Sequence, residues 1–287
     1  MARTHVSLTL AAAKTAAGIF AARILASLFF AAILATGFGL ASPAQAAGCD
    51  AADATPVEID HVTEDLDIVL KDERSVRLAG VKALAKGEAE QGRAQDGELA
   101  SFVTQAVAAK PVSLRLSSPV ADRWGRVAGD VFVDGRHLQS LVTQAGLAVA
   151  RPDDLRGPCW EAVKAAETQA RRANAGVWAR QDVILPASDG VKLSGRDGLF
   201  ILASGQVRHV SRGKGSPGKG RSYVDFGARG VNALFLTIDA KALTRMEKLG
   251  FKLEQLNDRK ILVRGVVLSG KSPHMVIDDV DAIEFWD

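Results

Sequence analysis

Short runs rich in apolar and β-branched residues, some alternating with polar ones, occupy Val57–Val62, Asp67–Leu70, Val76–Val81, Pro111–Leu116 and Val127–Val133 and predict five strands. Leu99, Phe102, Val103, Ala106 and Val107 recur at helical spacing instead and predict a helix over roughly Glu90–Ala109. A short helix carrying Leu138, Leu141, Val142 and Ala145 should stop at Gly146, and another should run from about Glu161 to Ala175 and stop at Gly176. Strands with a helix inserted before the last of them suit a small mixed barrel with helices packed beneath it. Pro186, Ser188, Asp189, Gly190, Ser194 and Gly195 then mark residues 181–197 as a linker. Beyond it Phe200–Val210, Ser222–Phe226, Leu234–Ile238, Ile261–Leu268 and Met275–Ile277 read as five more strands, with one helix near Lys241–Gly250. The expected class is α+β, mainly β: an OB-fold barrel with three helices over residues 47–180, then a second, OB-like five-stranded barrel over 198–287.

The first 46 residues break this pattern. They hold Arg3, Lys14 and Arg23 but no Asp or Glu, and the uncharged stretch Ile24–Leu40 is followed by Ser42-Pro43-Ala44-Gln45-Ala46. Basic region, apolar region and small-x-small ending, in that order, read as a secretory signal peptide cut after Ala46; a retained membrane anchor is the alternative. Export places the remainder in the periplasm or outside the cell, and no later stretch is long enough to span a membrane. The leader also carries the whole net charge of +3, leaving 33 basic against 33 acidic residues. A neutral chain of that kind has no global drive toward nucleic acid, so any polyanion site must be local. Both cysteines, Cys49 and Cys159, follow the leader. In an oxidising compartment they predict one disulfide, with lipidation at Ala46-Ala47-Gly48-Cys49 or free thiols as alternatives.

A set of short strings carries a family resemblance. They are Val76-Arg77-Leu78-Ala79-Gly80-Val81, Asp122-Arg123-Trp124-Gly125-Arg126-Val127, Gly135, Leu141-Val142, Gln144-Ala145-Gly146-Leu147-Ala148 and Ala175-Gly176-Val177-Trp178. In order and spacing, residues 57–179 resemble the thermonuclease (staphylococcal nuclease-like) family. The resemblance implies a five-stranded OB barrel with three helices and, in active members, calcium-dependent cleavage of DNA and RNA phosphodiesters. It also implies a set of roles: two arginines on the phosphate, two calcium-binding aspartates and a glutamate base. Arg77 and Arg126 fall on the arginine positions, and a guanidinium forks onto two phosphate oxygens at once.

The metal and base positions depart from the pattern. Where the family has Asp, a small residue, Pro and Glu, this chain has Lys82, Ala83, Leu84 and Ala85. The other aspartate position aligns to Leu66, because Ile68 and Leu70 match the apolar positions that follow. A one-residue slip would put Asp67 on the ligand but would turn Lys71 inward unless a local bulge intervened. Glu88 and Glu90 are the remaining substitute carboxylates, although acids also favour helix starts on electrostatic grounds. No cofactor is therefore expected, with calcium required only if such substitutes support hydrolysis.

In the second half, residues 208–221 carry Arg208, Arg212, Lys214, Lys219 and Arg221 without an acid, with Tyr223 just beyond. That composition suits a phosphate-tracking loop with an aromatic platform; a hydrated hairpin turn is the plain alternative. Three functions remain open. The chain is a catalytically degenerate scaffold that binds nucleic acid or another polyanion through Arg77, Arg126 and the 208–221 loop, or an active phosphodiesterase with noncanonical carboxylates, or an envelope protein-interaction module.

Overall fold

A computed structural model describes residues 49–63, 67–84, 92–152, 157–213 and 220–286, with residues 92–96 as backbone only. The proposed leader, Leu66, Ala85, Glu88, Glu90, Lys214 and Lys219 therefore lie outside the described residues. The described residues fall in one compact unit.

The N-terminal half is built on a mixed seven-stranded sheet among the described residues. Its order is Thr55–Val57, Val112–Ser118, Arg126–Val133, Ser75–Leu78, Ile68–Leu70, Ile59–Val62, with Arg136–His137 paired off Arg126–Val133. All neighbours are antiparallel except Ser75–Leu78 against Arg126–Val133, which run parallel with Arg77 beside Ala128. Ile68, Leu70, Val76 and Leu78 turn to the core in strict alternation, as a half-buried sheet requires. Three helices cover that core: α1 (Gly92–Val107), α2 (Leu138–Gln144) and α3 (Trp160–Arg172). In α1, Leu99, Val103 and Val107 are the buried stripe and Phe102 and Ala106 its half-buried flanks, as the spacing predicts. Helix α2 ends where Gly146 takes φ +71°, and a Cβ there would strike the Ala175 backbone. Val177 N–H donates to the Gly146 carbonyl at 2.9 Å, so the two glycine-bearing strings are two sides of one close backbone contact.

The C-terminal half differs from the expected five-stranded barrel. Two four-stranded sheets enclose its core, in the orders Ile184–Pro186, Phe200–Gln206, Lys260–Val266, Ile283–Phe285 and His209–Ser211, Arg221–Asp225, Phe235–Asp239, His274–Val276. The long run expected at 200–210 is split after Val207: the Val207 N–H still donates to the Arg259 carbonyl beside Lys260–Val266, whereas the Arg208 N–H donates to Asp225 of the other sheet. Strand Ile184–Pro186 and helix α4 (Gly190–Ser194) fall within the stretch expected to be a linker, and Ile283–Phe285 adds an edge strand. Helix α5 (Ala240–Lys248), capped by Asp239, contributes Ala242, Leu243 and Met246 to the core between the sheets. No ladder closes either half into a barrel among the described residues. The α+β, mainly β class holds.

The two halves are joined through a second face of the strands Phe200–Gln206 and Lys260–Val266. Ile201, Ala203, Ile261 and Val263 point into the C-terminal core, while Leu202 and Leu262 point the other way and pack with Leu84, Val149, Ala170, Val177 and Trp178. Arg264 shares that outer face and reaches Glu167 of α3 at 2.9 Å. Both side chains are almost fully buried. Arg171 binds Glu167 and Glu284 as well, and Trp160 and Lys164 of α3 both bind Asp281. A disulfide joins Cys49 to Cys159 at the base of α3, as expected, packed with Phe132. It closes a loop of 110 residues, for which chain entropy gives about 4–5 kcal/mol. Among the described residues no helix is long and apolar enough to cross a membrane.

The buried pair yields a prediction. Arg264→Met leaves Glu167 buried beside one guanidinium instead of two and should cost about 3–5 kcal/mol, whereas Glu167→Leu/Arg264→Met should recover about half of that loss or more. Urea unfolding of both variants checks this; equal losses would mean that the charges themselves are not what the junction requires.

Candidate functional site

The string Val76-Arg77-Leu78-Ala79-Gly80-Val81 works as strand, turn, strand. Val76 and Leu78 anchor in the core, so Arg77 emerges on the opposite side. Gly80 then takes φ +73°, a conformation that costs glycine no steric strain, and turns the chain into the short strand Val81–Lys82. That strand pairs with Val149–Ala150, and Arg151 N–H donates to the Gly80 carbonyl at 2.8 Å. The ladder therefore brings Lys82 and Arg151 to the edge where Arg77 emerges.

Arg126 arrives from the other side on a tight turn. Asp122 Oδ1 accepts from the backbone N–H groups of Trp124 and Arg126, and Gly125 supplies the left-handed residue at φ +78°. The other oxygen, Oδ2, accepts from Arg126 Nε at 3.0 Å, so one carboxylate both shapes the turn and holds the guanidinium. Arg126 Nη1 also lies 3.4 Å from Asp67 Oδ1, and its guanidinium stands 4.8 Å from the centre of the exposed Trp124 ring. Burial by itself would lower the Arg126 pKa, but the bond to Asp122 and the Asp67 charge more than offset it and hold the group firmly protonated. Burial would likewise raise the Asp122 carboxyl, yet the Arg126 and backbone bonds keep it below its ordinary value.

Asp67, Arg77, Lys82, Arg126 and Arg151 line one cavity of about 220 Å³, with Leu78, Leu99, Val142 and Ala148 among its apolar walls. Among the described residues four cationic side chains thus line the cavity with one carboxylate. Arg151 is the member the sequence reading missed: it stands outside the recognised strings, and only the pairing of residues 81–82 with 149–150 reveals its place. Asp67 is the member that the expected register, with Ile68 and Leu70 turned to the core as observed, did not place there. It lines the cavity while Lys71 stays exposed and bonds Glu58, so the feared inward turn of Lys71 does not occur. A shift in register between Ile59 and His61 marks the neighbouring strand.

The described donor set does not fit calcium, which takes six to eight oxygens with carboxylates among them. The single carboxylate is already ion-paired with Arg126, and Lys82 brings an ammonium to the same cavity. Cys49, His137 and Cys159 do lie close together, but the two sulfurs are bonded to each other.

The described basic residues of the 208–221 run do not form one group. Arg212 is engaged by Glu247 and Glu254, both at 2.8 Å, and those hydrogen bonds raise its pKa further. Arg208 and Arg221 sit exposed at opposite ends of the hairpin His209–Ser211/Arg221–Asp225, and neither forms an ion pair among the described residues. Tyr223 is 38% exposed and meets Phe235 at a ring separation of 6.4 Å.

Residues 75–180 match the family model described as staphylococcal nuclease homologue, and this segment is a staphylococcal nuclease-like domain. Asp67 and the whole C-terminal half lie outside the matched segment. No curated protein matches the chain.

The Asp122 geometry carries a pH prediction. Its folded-state pKa is depressed, so the stability it contributes is present above the ordinary value of 3.8 and is lost as the pH falls through the lower folded value. Asp122→Asn should lower stability at neutral pH and shrink the loss on acidification below pH 3.8, as read from urea melts across pH. An unchanged acid limb would show that the Asp122–Arg126 bond contributes nothing to folding.

Proposed function

We propose that this is an exported, catalytically degenerate nuclease-like protein that holds phosphate-rich ligands, nucleic acid first among them, in the Arg77–Arg126 cavity. The carrying observation is the composition of the cavity wall among the described residues: Arg77, Lys82, Arg126 and Arg151 beside Asp67. Such a wall attracts a phosphodiester and binds it by charge-assisted hydrogen bonds. It is a poor place to gather a dication, because Lys82 and three guanidinium groups oppose it. In this reading Lys82 takes over the electrostatic task of a metal toward phosphate oxygens, but not that of activating water, so binding survives where hydrolysis does not. Export is supported by the leader pattern and by the Cys49–Cys159 disulfide, a bond that persists in oxidising compartments. The division into a nuclease-like domain over 47–180 and a second, two-sheet domain that starts with Ile184–Pro186 belongs to the same reading, with the two packed through Leu202, Leu262 and Arg264.

A second reading, an active phosphodiesterase with noncanonical carboxylates, draws on the place of Asp67 inside the cavity. Labelled single-stranded DNA and RNA incubated with the purified chain, in calcium and in chelator, separate the two. The expected result is no cleavage above an Arg77→Ala/Arg126→Ala control, together with binding that weakens with salt by a log–log slope of about −0.7 per phosphate neutralised. The double variant should bind at least about tenfold more weakly and with a shallower slope. Calcium-dependent cleavage lost in the double variant would replace this reading with the enzyme, and absence of salt-sensitive binding would leave the protein-interaction module.

A further inference from the structure

The sheet His209–Ser211, Arg221–Asp225, Phe235–Asp239, His274–Val276 has one face in the C-terminal core, supplied by Val224, Leu236, Ile238 and Met275. Its other face has a composition that packing alone does not require. Along Arg221–Asp225 the outward residues are Arg221, Tyr223 and Asp225, and the next strands add Phe235 and His274. Phe235 stacks on His274 with ring centres 5.2 Å apart and planes 15° from parallel, and Tyr223 approaches Phe235 from the other side at 6.4 Å. Three rings thus cross three strands in a row. Cross-strand aromatic pairs are common stabilisers of sheets, but Phe235, the middle ring of this row, also lines an open concavity of about 910 Å³.

The concavity walls match a particular chemistry. Arg208 and Arg229 line it, both exposed and neither in an ion pair among the described residues. Asp225, the direct partner of Phe235 in the ladder, lines it as well, beside His209. The loop Gly227–Val231 forms the far wall: Gly227 is pressed so close to Ala233 that a Cβ would clash, and Val231 stays 54% exposed. Flat rings, free guanidinium groups and one carboxylate are what an unpaired nucleotide needs. Rings stack on a base, guanidinium groups bind the flanking phosphates, and a carboxylate accepts from an exocyclic amine such as that of cytosine. A duplex hides its base faces and gains little from such a surface.

We propose that this face is a second, separate binding site for single-stranded nucleic acid, in which the exposed Tyr223 at the end of the ring row stacks on an unpaired base while Arg208 and Arg229 hold the backbone and Asp225 reads an amino edge. The site shares no residue with the Arg77–Arg126 cavity, so either assignment can fail without the other.

Fluorescence anisotropy of the full chain with labelled oligo(dC) and oligo(dT) of about 15 nucleotides tests it, beside a duplex of equal length. Arg208→Ala/Arg229→Ala should weaken oligo(dC) binding about tenfold and flatten the salt slope, and Tyr223→Leu, at an exposed position, should weaken it about fivefold or more with the salt slope kept. Arg77→Ala/Arg126→Ala should leave part of the affinity in place, and that part should still respond to Tyr223→Leu. Oligo(dC) should bind more tightly than oligo(dT), and Asp225→Asn should narrow the difference. Affinity insensitive to Tyr223→Leu and to Arg208→Ala/Arg229→Ala would overturn the site. So would loss of all binding in Arg77→Ala/Arg126→Ala, or equal affinity for the duplex, while equal binding of the two homopolymers would overturn the role of Asp225.

Discussion

Ala150 is gripped on both of its backbone polar groups by a buried ion pair drawn from the two halves of the chain. Glu167 Oε1 of α3 accepts from its N–H at 3.1 Å, and Arg264 Nη1 of the C-terminal sheet donates to its carbonyl at 2.9 Å. The same two side chains bind each other out of contact with water, where an unpaired charge would be strongly unfavourable. Ala150 lies opposite Val81 in the two-residue ladder, and Arg151 follows it into the cavity wall. The junction between the halves therefore also sets the edge on which Lys82 and Arg151 stand. A defect at Arg264 would be felt at the Arg77–Arg126 cavity although Arg264 does not line it.

The cavity takes its shape from two turns and its field from the charges between them. Gly80 and Gly125 make the turns that present Arg77 and Arg126, and Asp122 fixes the second guanidinium. Lys82 stands where the family resemblance implies a metal-binding carboxylate, and Arg151 adds a further guanidinium. Asp67 is drawn into a bond with Arg126, which orients that arginine and tempers the positive field.

Much of the fold was legible because one-sided burial writes a periodic signal. The stripe Leu99–Val103–Val107 located α1, and the alternation Ile68, Leu70, Val76, Leu78 located two strands that the structure keeps. Runs buried on both faces write no such signal: Ile201-Leu202-Ala203 and Ile261-Leu262-Val263-Arg264 are buried throughout because two different cores claim opposite sides. Their sequence reads as strand but conceals the junction. Pro186, Gly190 and Gly195 suggested a linker, yet Leu185 and Leu193 there are core residues. In the site, Arg77 and Arg126 were recoverable from local strings with left-handed glycines, whereas Arg151 and the inward reach of Asp67 depend on strand pairing across long sequence separations. Arg212 was misleading for the same reason, since Glu247 and Glu254 lie far along the chain.

The central claim is that positive side chains, not a bound dication, hold phosphate in the Arg77–Arg126 cavity. Calorimetric titration of the full chain with a short single-stranded oligonucleotide, in calcium and in chelator at matched ionic strength, addresses it directly. The account predicts the same affinity in both buffers and no heat when calcium alone is added. Binding that appears only with calcium, or stoichiometric calcium uptake by the free protein, would contradict it.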